Sequence, residues 1–372
     1  MTGEESTRRA FLSAGVVGLS AIGVSSVVTD TTSERDTDRD RPGEWDDSVP
    51  NLPEPMADPG GAAIDGTLYV YGGFYPSATD EIASTYAYDP NTDDGWRERE
   101  SVPTGRWLPC GVATDDRLYS FGGRAGGAPS DRIFAFDPDD GWTDLTASAG
   151  SRCPEPAWGM QGVYDENRGR IWVAGGGIET EDGKQNTTRL WTFDPADDAI
   201  SDDYAPLPDG RHVFTMGLLD RSLYVVSGYQ LDGDFDAATW AYDIEADEWR
   251  RRTPAPLNVL GATRNQPVVD GKLYVTHGLN WGERADPKQF PHKRVETKTL
   301  RARYFYATCF EYDPTRETVP GVDPWRRMAD AAVPRDGVAN AVVDGTLYVV
   351  GGRATERPQP KGEAAVEAFA PD

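Results

Sequence analysis

Cysteine, histidine, methionine and lysine are all scarce in this chain of 372 residues, and the shortages exclude whole classes of chemistry. The three cysteines, Cys110, Cys153 and Cys309, have no CxxC spacing, so they build neither a disulfide framework nor a zinc site. The sequence favours three isolated core thiols and leaves one Cys110–Cys153 pair open. His212, His277 and His292 stand in three separate contexts and supply no clustered metal ligands; no metal and no cofactor are expected. Positive charge is short as well: 37 Lys and Arg face 62 Asp and Glu, a net charge of −25 with a pI near 4.5. A nucleic acid would be repelled by such a surface. Mean hydropathy is −0.59 and only one apolar run exceeds a dozen residues, which excludes a multi-span membrane protein. With 40 Gly and 28 Pro spread along the chain, long helices are disfavoured. No P-loop, GxSxG or Ser/His/Asp order stands out. What remains is a soluble, turn-rich, all-β protein.

Only six of the 37 basic residues are lysine. Abundant Asp with little Lys resembles the composition of salt-adapted archaeal proteins, in which self-repulsion is screened over a Debye length of about 3 Å at 1 M salt. The N-terminus reads as an address. Ser6-Thr7-Arg8-Arg9-Ala10-Phe11-Leu12 resembles the twin-arginine export motif and leads into a weakly apolar segment, so 1–28 is taken as a signal peptide. An acidic linker without apolar periodicity follows at 29–43. The expected location is outside the cell or at its surface, with no membrane span in the mature form; retention of the signal as an anchor stays open.

A repeat of about 50 residues fills the rest. It begins as GTLYVYGG at 66–73, YAYDP at 86–90 and Trp96. It returns as RLYSFGG at 117–123 with IFAFDP and Trp142, and as IWVAGG at 171–176 with LWTFDP and Tyr204 standing in for Trp. LYVVSG at 223–228 precedes WAYD and Trp249, and LYVTHG at 273–278 precedes FEYDP and Trp325. LYVVGG at 347–352 and VEAF at 366–369 end the series. Apolar strands, a diglycine, an aromatic before a turn-forming Asp-Pro and a distal Trp suit four-stranded antiparallel sheets. This pattern resembles the kelch repeat from about Trp45 to the end, departing at Ser227, His277 and Tyr204. The resemblance implies a six-bladed kelch-type β-propeller over 44–372. The sixth repeat lacks a Trp-bearing fourth strand, whereas 45–50 resembles 96–103; the segment 45–53 is therefore expected to close the last blade.

In such propellers the residues just before each first strand and just after each diglycine converge on one face. Arg106, Arg211 and Arg335 lie sixteen positions before the first residue of their pairs, and Arg124 and Arg353 follow theirs directly. Together they form a candidate cationic funnel for a carboxylate or sulfate. Arg152 and Arg264 lie nearby but out of register. The competing reading has these arginines binding neighbouring carbonyls or cross-blade carboxylates. Phe74, Trp107, Tyr229 and Trp281 could stack on sugar rings. The insertion 279–308 also carries His292, three lysines and Arg284, Arg294, Arg301 and Arg303, and long loops of this kind are commonly functional. Asn186-Thr187-Thr188 is a glycosylation sequon. The Asp-rich run 137–141 lacks the alternation of a calcium loop and reads as a turn.

The resemblance extends distantly to galactose oxidase, whose copper site and extra domains find no match here, and to exported sialic acid epimerases, for which Glu155 or Asp336 would be the acid or base. The expectation is a monomeric binding module for an acidic glycan or a protein partner. The alternative is a sugar-acid epimerase or mutarotase.

Overall fold

The computed structural model describes residues 40–75, 81–92, 94–231, 236–281, 290, 292–295, 302–354 and 364–371. The export motif with Arg8 and Arg9, most of the linker, and Arg284, Arg301, Lys288 and Lys298 of the insertion lie outside them.

The first, third, fourth and fifth repeats each fold into an antiparallel sheet of four strands in chain order, and the second does so with Arg124–Ala125 and Arg152–Ala157 also paired to its third strand. The first runs Gly60–Ile64, Thr67–Tyr71, Thr85–Tyr88 and Arg97–Arg99. The innermost strand is small (GGAAI), the next two are buried and aromatic, and the outermost, RER, is exposed. That gradient follows the wedge shape. Inner strands crowd round an axis, so a Cβ on Gly61 would meet Ala339 Cβ at 3.0 Å and one on Gly111 would meet Gly61 N at 3.0 Å. A cavity of about 270 Å³ runs between the inner strands, lined by Gly61, Gly111, Gly162, Asn265 and Asn340 among others.

The second to fifth sheets start at Cys110–Ala113, Gln161–Asp165, Thr215–Leu219 and Val268–Val269. The sixth contains Ala339–Val343, Thr346–Val350 and Val366–Ala370 and is completed by Glu44–Asp46, with Trp45 opposite Phe369. Closure by the N-terminal segment therefore holds, but through a shorter strand. Residues 47–53 run on irregularly, with Leu52 N donating to Ala364 O at 2.8 Å.

The repeated Asp makes its turn with its own side chain. Asp89, Asp137, Asp194, Asp243 and Asp313 each accept from the N–H two residues on, at 2.9–3.1 Å. The distal Trp is a latch: Trp96, Trp142, Trp249, Trp325 and Trp45 donate their indole N–H to Pro50, Glu100, Ala205, Thr253 and Ala329 carbonyls of the neighbouring sheet at 2.7–3.0 Å. Tyr204 does not replace the missing one. Trp142 faces Phe136 and Trp249 faces Tyr242, whereas the corresponding Phe193 faces Ile200, four residues before Tyr204. Ser227 and His277, in place of the first glycine, keep its left-handed backbone at φ 57° and 66°. Cys110, Cys153 and Cys309 are free and buried, so the pairing left open is not made; burial pushes the Cys153 thiol up to about 12.

The insertion contains a small sheet, Leu279–Trp281 beside Arg303–Tyr306 beside His292–Val295.

Candidate ligand-binding face

At one end of the axis, six residues preceding the inner strands have left-handed φ: Asp58, Leu108, Gly159, Val213, Gly261 and Gly337. Each backbone N–H donates to the carbonyl of the residue before it in this series, and Asp58 N donates to Gly337 O, at 2.8–3.3 Å. The circle passes once through every sheet and defines the mouth. The residues immediately before it, Ala57, Trp107, Trp158, His212, Leu260 and Asp336, pair with Phe74, Arg124, Gly177, Tyr229, Leu279 and Arg353 after the diglycines. Convergence of these two segments is thus real, but the facing register lies one residue beyond the expected arginines.

That single step decides their fate, because neighbouring residues in extended chain point to opposite sides. Arg106, Arg211 and Arg335 are 0% exposed and are spent inside their sheets rather than lining a funnel. Arg106 Nη1 donates to Gly122 O at 2.9 Å and its Nε to Thr104 O at 3.2 Å. Arg211 donates to Ser227 O at 2.8 Å and Asp236 at 3.1 Å. Arg335 donates to Val349 O at 3.0 Å and Glu367 Oε2 at 2.6 Å. Ties to carbonyls hold at all three, and Arg211 and Arg335 add a carboxylate. Arg264 reaches Val338 O and Pro59 O, joining three sheets, and Arg152 pairs with Asp131 on the surface.

Around the mouth the side chains form a chain of rings. Phe74 and Trp107 lie 5.3 Å apart, Trp158 and His212 6.1 Å, His212 and Tyr229 5.4 Å, and Tyr229 and Trp281 5.0 Å. The Arg124 guanidinium sits 4.7 Å above Trp158 and 5.8 Å from Trp107. Trp107, Trp158, Arg124, Lys184, Leu231 and Glu81 enclose an open cleft of about 740 Å³. A second, polar cleft of about 510 Å³ shares Lys184 and Leu231. Trp107, Arg124, Tyr229 and Trp281 are therefore placed around the mouth, Trp107 and Arg124 in the larger cleft. Trp158, His212 and Lys184 were missed; counting back fifteen rather than sixteen positions from Ser227 reaches His212.

The charges are largely matched. Arg124 pairs with Glu179 at 2.9 Å, and Lys184 stands 4.0 Å from the same carboxylate. Arg353 grips both oxygens of Asp336 at 2.9 and 3.0 Å. Burial pushes the Asp336 carboxyl up, against the pull of Arg353. Glu155 is held by Arg189 at 3.1 Å and by the Thr187 hydroxyl. Both carboxylates are thus engaged by an arginine within the fold. Burial lowers His212 to about 4, keeping it neutral.

Asn186 is half-buried. Its Oδ1 accepts from Leu231 N at 2.6 Å and its Nδ2 lies 2.9 Å from His212 Nδ1. The folded chain turns the nitrogen that would carry a glycan inward.

A kelch-motif family model matches residues 55–94. Kelch-like protein 35 of Mus musculus is 27% identical over 219 residues, 58% of this chain and 33% of that protein. Beta-scruin of Limulus polyphemus is 25% identical over 194 residues, 49% of this chain and 20% of that protein. The chain spans about a third of the length of Kelch-like relatives that it matches. The solved structure of YjhT superposes with a TM-score of 0.64 at 16% identity, covering 86% of this chain and 96% of that one. With the repeat, the antiparallel sheets and the closing N-terminal strand, the fold is a kelch-type β-propeller.

Proposed function

We propose that this protein is a binding module whose ligand is a glycan seated on the mouth face, with sugar rings against Trp107 and Trp158 and an acidic group near Lys184. The observation that carries this reading is the cleft of about 740 Å³ walled by two tryptophans and two cations. Aromatic faces suit the apolar faces of sugar rings, and their burial is worth more than the charges here. Arg124 already has Glu179 as a partner, so a carboxylate or sulfate on the ligand competes for the more exposed Lys184.

The test is a survey of neutral and acidic oligosaccharides at molar salt, read by calorimetry with NMR of the recovered sugar. Trp158→Ala and Trp107→Ala should each weaken binding by roughly tenfold or more, as truncation of a buried aromatic anchor does, with Arg97→Ala as the neutral control. Equal affinities in all three variants would move the ligand off this cleft. A recovered sugar with altered anomeric or epimeric form would turn the reading to a sugar-acid epimerase or mutarotase.

A further inference from the structure

The same arginine position recurs in three sheets, and its surroundings differ in one respect. In the fourth, Arg211 has the Asp236 carboxylate at 3.1 Å, and in the sixth, Arg335 has Glu367 at 2.6 Å. Arg106 in the second sheet is equally buried, yet no ion pair joins it to a described carboxylate. The register explains why. Asn340, Val349 and Glu367 lie side by side across the sixth sheet, and the matching row in the second is Gly111, Ser120 and Phe134. Phe134 occupies the place of Glu367, and the Arg106 guanidinium lies 4.1 Å above its ring.

Cross-strand partners point to the same face, so Ser120 shares the side on which a Cβ at Gly111 would meet the Tyr71 hydroxyl at 3.2 Å. Arg106 lies against the residue after Tyr71, its Cγ 3.5 Å from where Gly72 would carry a Cβ, and its charge acts on the Tyr71 hydroxyl. Arg106 Nη2, Tyr71 Oη and Ser120 Oγ are all buried and none has a hydrogen-bond partner. One positive charge meets two hydroxyls that can satisfy each other with only one of their two protons; the other proton and Arg106 Nη2 are left in a dry place with no described counter-charge, an arrangement whose cost a bound anion lowers.

We propose that a halide-sized anion binds between Arg106, Tyr71 and Ser120, standing in for the carboxylate that Glu367 supplies to Arg335. Glycines at 60 and 111 flank the Tyr71 hydroxyl, and the remaining hydroxyl proton is donated to the anion.

Bromide is the probe. Anomalous diffraction from crystals soaked in sodium bromide should place a peak beside Arg106 Nη2. In solution, melting in 1 M sodium bromide should exceed melting in sodium gluconate of equal ionic strength by about 4 °C, the shift for a site held well above its Kd in a domain of this size. Gluconate screens surface charge equally but differs from bromide as a bulk salt, so the site is read as the part of the difference that its own variants remove. The Tyr71→Phe/Ser120→Ala double variant should lose that part. Phe134→Glu, which rebuilds the sixth-sheet arrangement, should abolish it by filling the place; if that core variant fails to fold, the double variant and the bromide map still decide. A map without an anomalous peak at Arg106, or a salt difference that the double variant keeps unchanged, overturns the proposal.

Discussion

A buried arginine that reaches only carbonyls and one that also holds a carboxylate carry different consequences when the pair is broken. Arg335 and Glu367 are both essentially inaccessible, and Glu367 also accepts from Ala332 N and lies 3.3 Å from His277 Nε2. His277, Arg335 and these backbone donors hold the Glu367 carboxyl down at about 2 against the cost of burial. Arg335→Ala leaves that carboxylate buried without its cation, and such breakage costs about 3 to 5 kcal/mol. The urea midpoint should fall steeply while saccharide affinity of the folded fraction stays unchanged; a loss of affinity at unchanged stability would return Arg335 to the face. Acid provides a second reading. Glu367 has a folded value below its unfolded one, so its contribution is complete above about 4.5 and is lost as pH falls towards about 2, roughly 3 kcal/mol in all. Glu367→Gln should be less stable at neutral pH and flatter across that interval. That these arginines would be buried was not legible from their spacing, because the distance from an arginine to a diglycine fixes the neighbourhood but a shift of one residue reverses the side.

The strand Glu44–Asp46 illustrates what a repeat does make legible. A unit short of its fourth strand at one end and a Trp-bearing fragment at the other imply closure, and Trp45 does latch onto Ala329 O at 2.9 Å and pack 5.0 Å from Phe369. A chain beginning at residue 54 should melt well below one beginning at residue 40, because it uncovers the edge of Val366–Ala370 and empties the Trp45 site. Identical melting curves would mean that the sixth sheet holds without its outer strand. The third sheet was less legible at the same level. Tyr204 looked like the substitute latch because it is the nearby aromatic, but register assigns the position to Ile200, and an aliphatic residue carries no pattern that marks it as a replacement. The hairpin Gly177–Thr180 with Gly183–Asn186, which brings Lys184 to the cleft and Glu179 to Arg124, is likewise a local addition that the repeat pattern does not announce.

At the scale of the molecule, ring closure joins the first strand made to the last. Trp45 faces Phe369, so the sixth sheet is complete only when nearly the entire chain is available, and non-local pairing of this kind folds slowly and exposes edges meanwhile. A transport route that threads an unfolded chain would separate Glu44–Asp46 from its partner across a membrane during that interval. A route that carries folded proteins avoids the separation, and it is this route that Arg8-Arg9 followed by Phe11-Leu12 resembles. We therefore propose export of the folded propeller through the twin-arginine pathway. Replacing Arg8 and Arg9 together with Lys keeps the charge but removes the paired guanidinium forks that a receptor distinguishes from ammonium groups. The double variant should accumulate inside the cell as a folded, protease-resistant precursor while the extracellular fraction disappears. Undiminished export of that variant would remove the address, and a precursor that is retained but unfolded would show that folding and export are coupled in some other way.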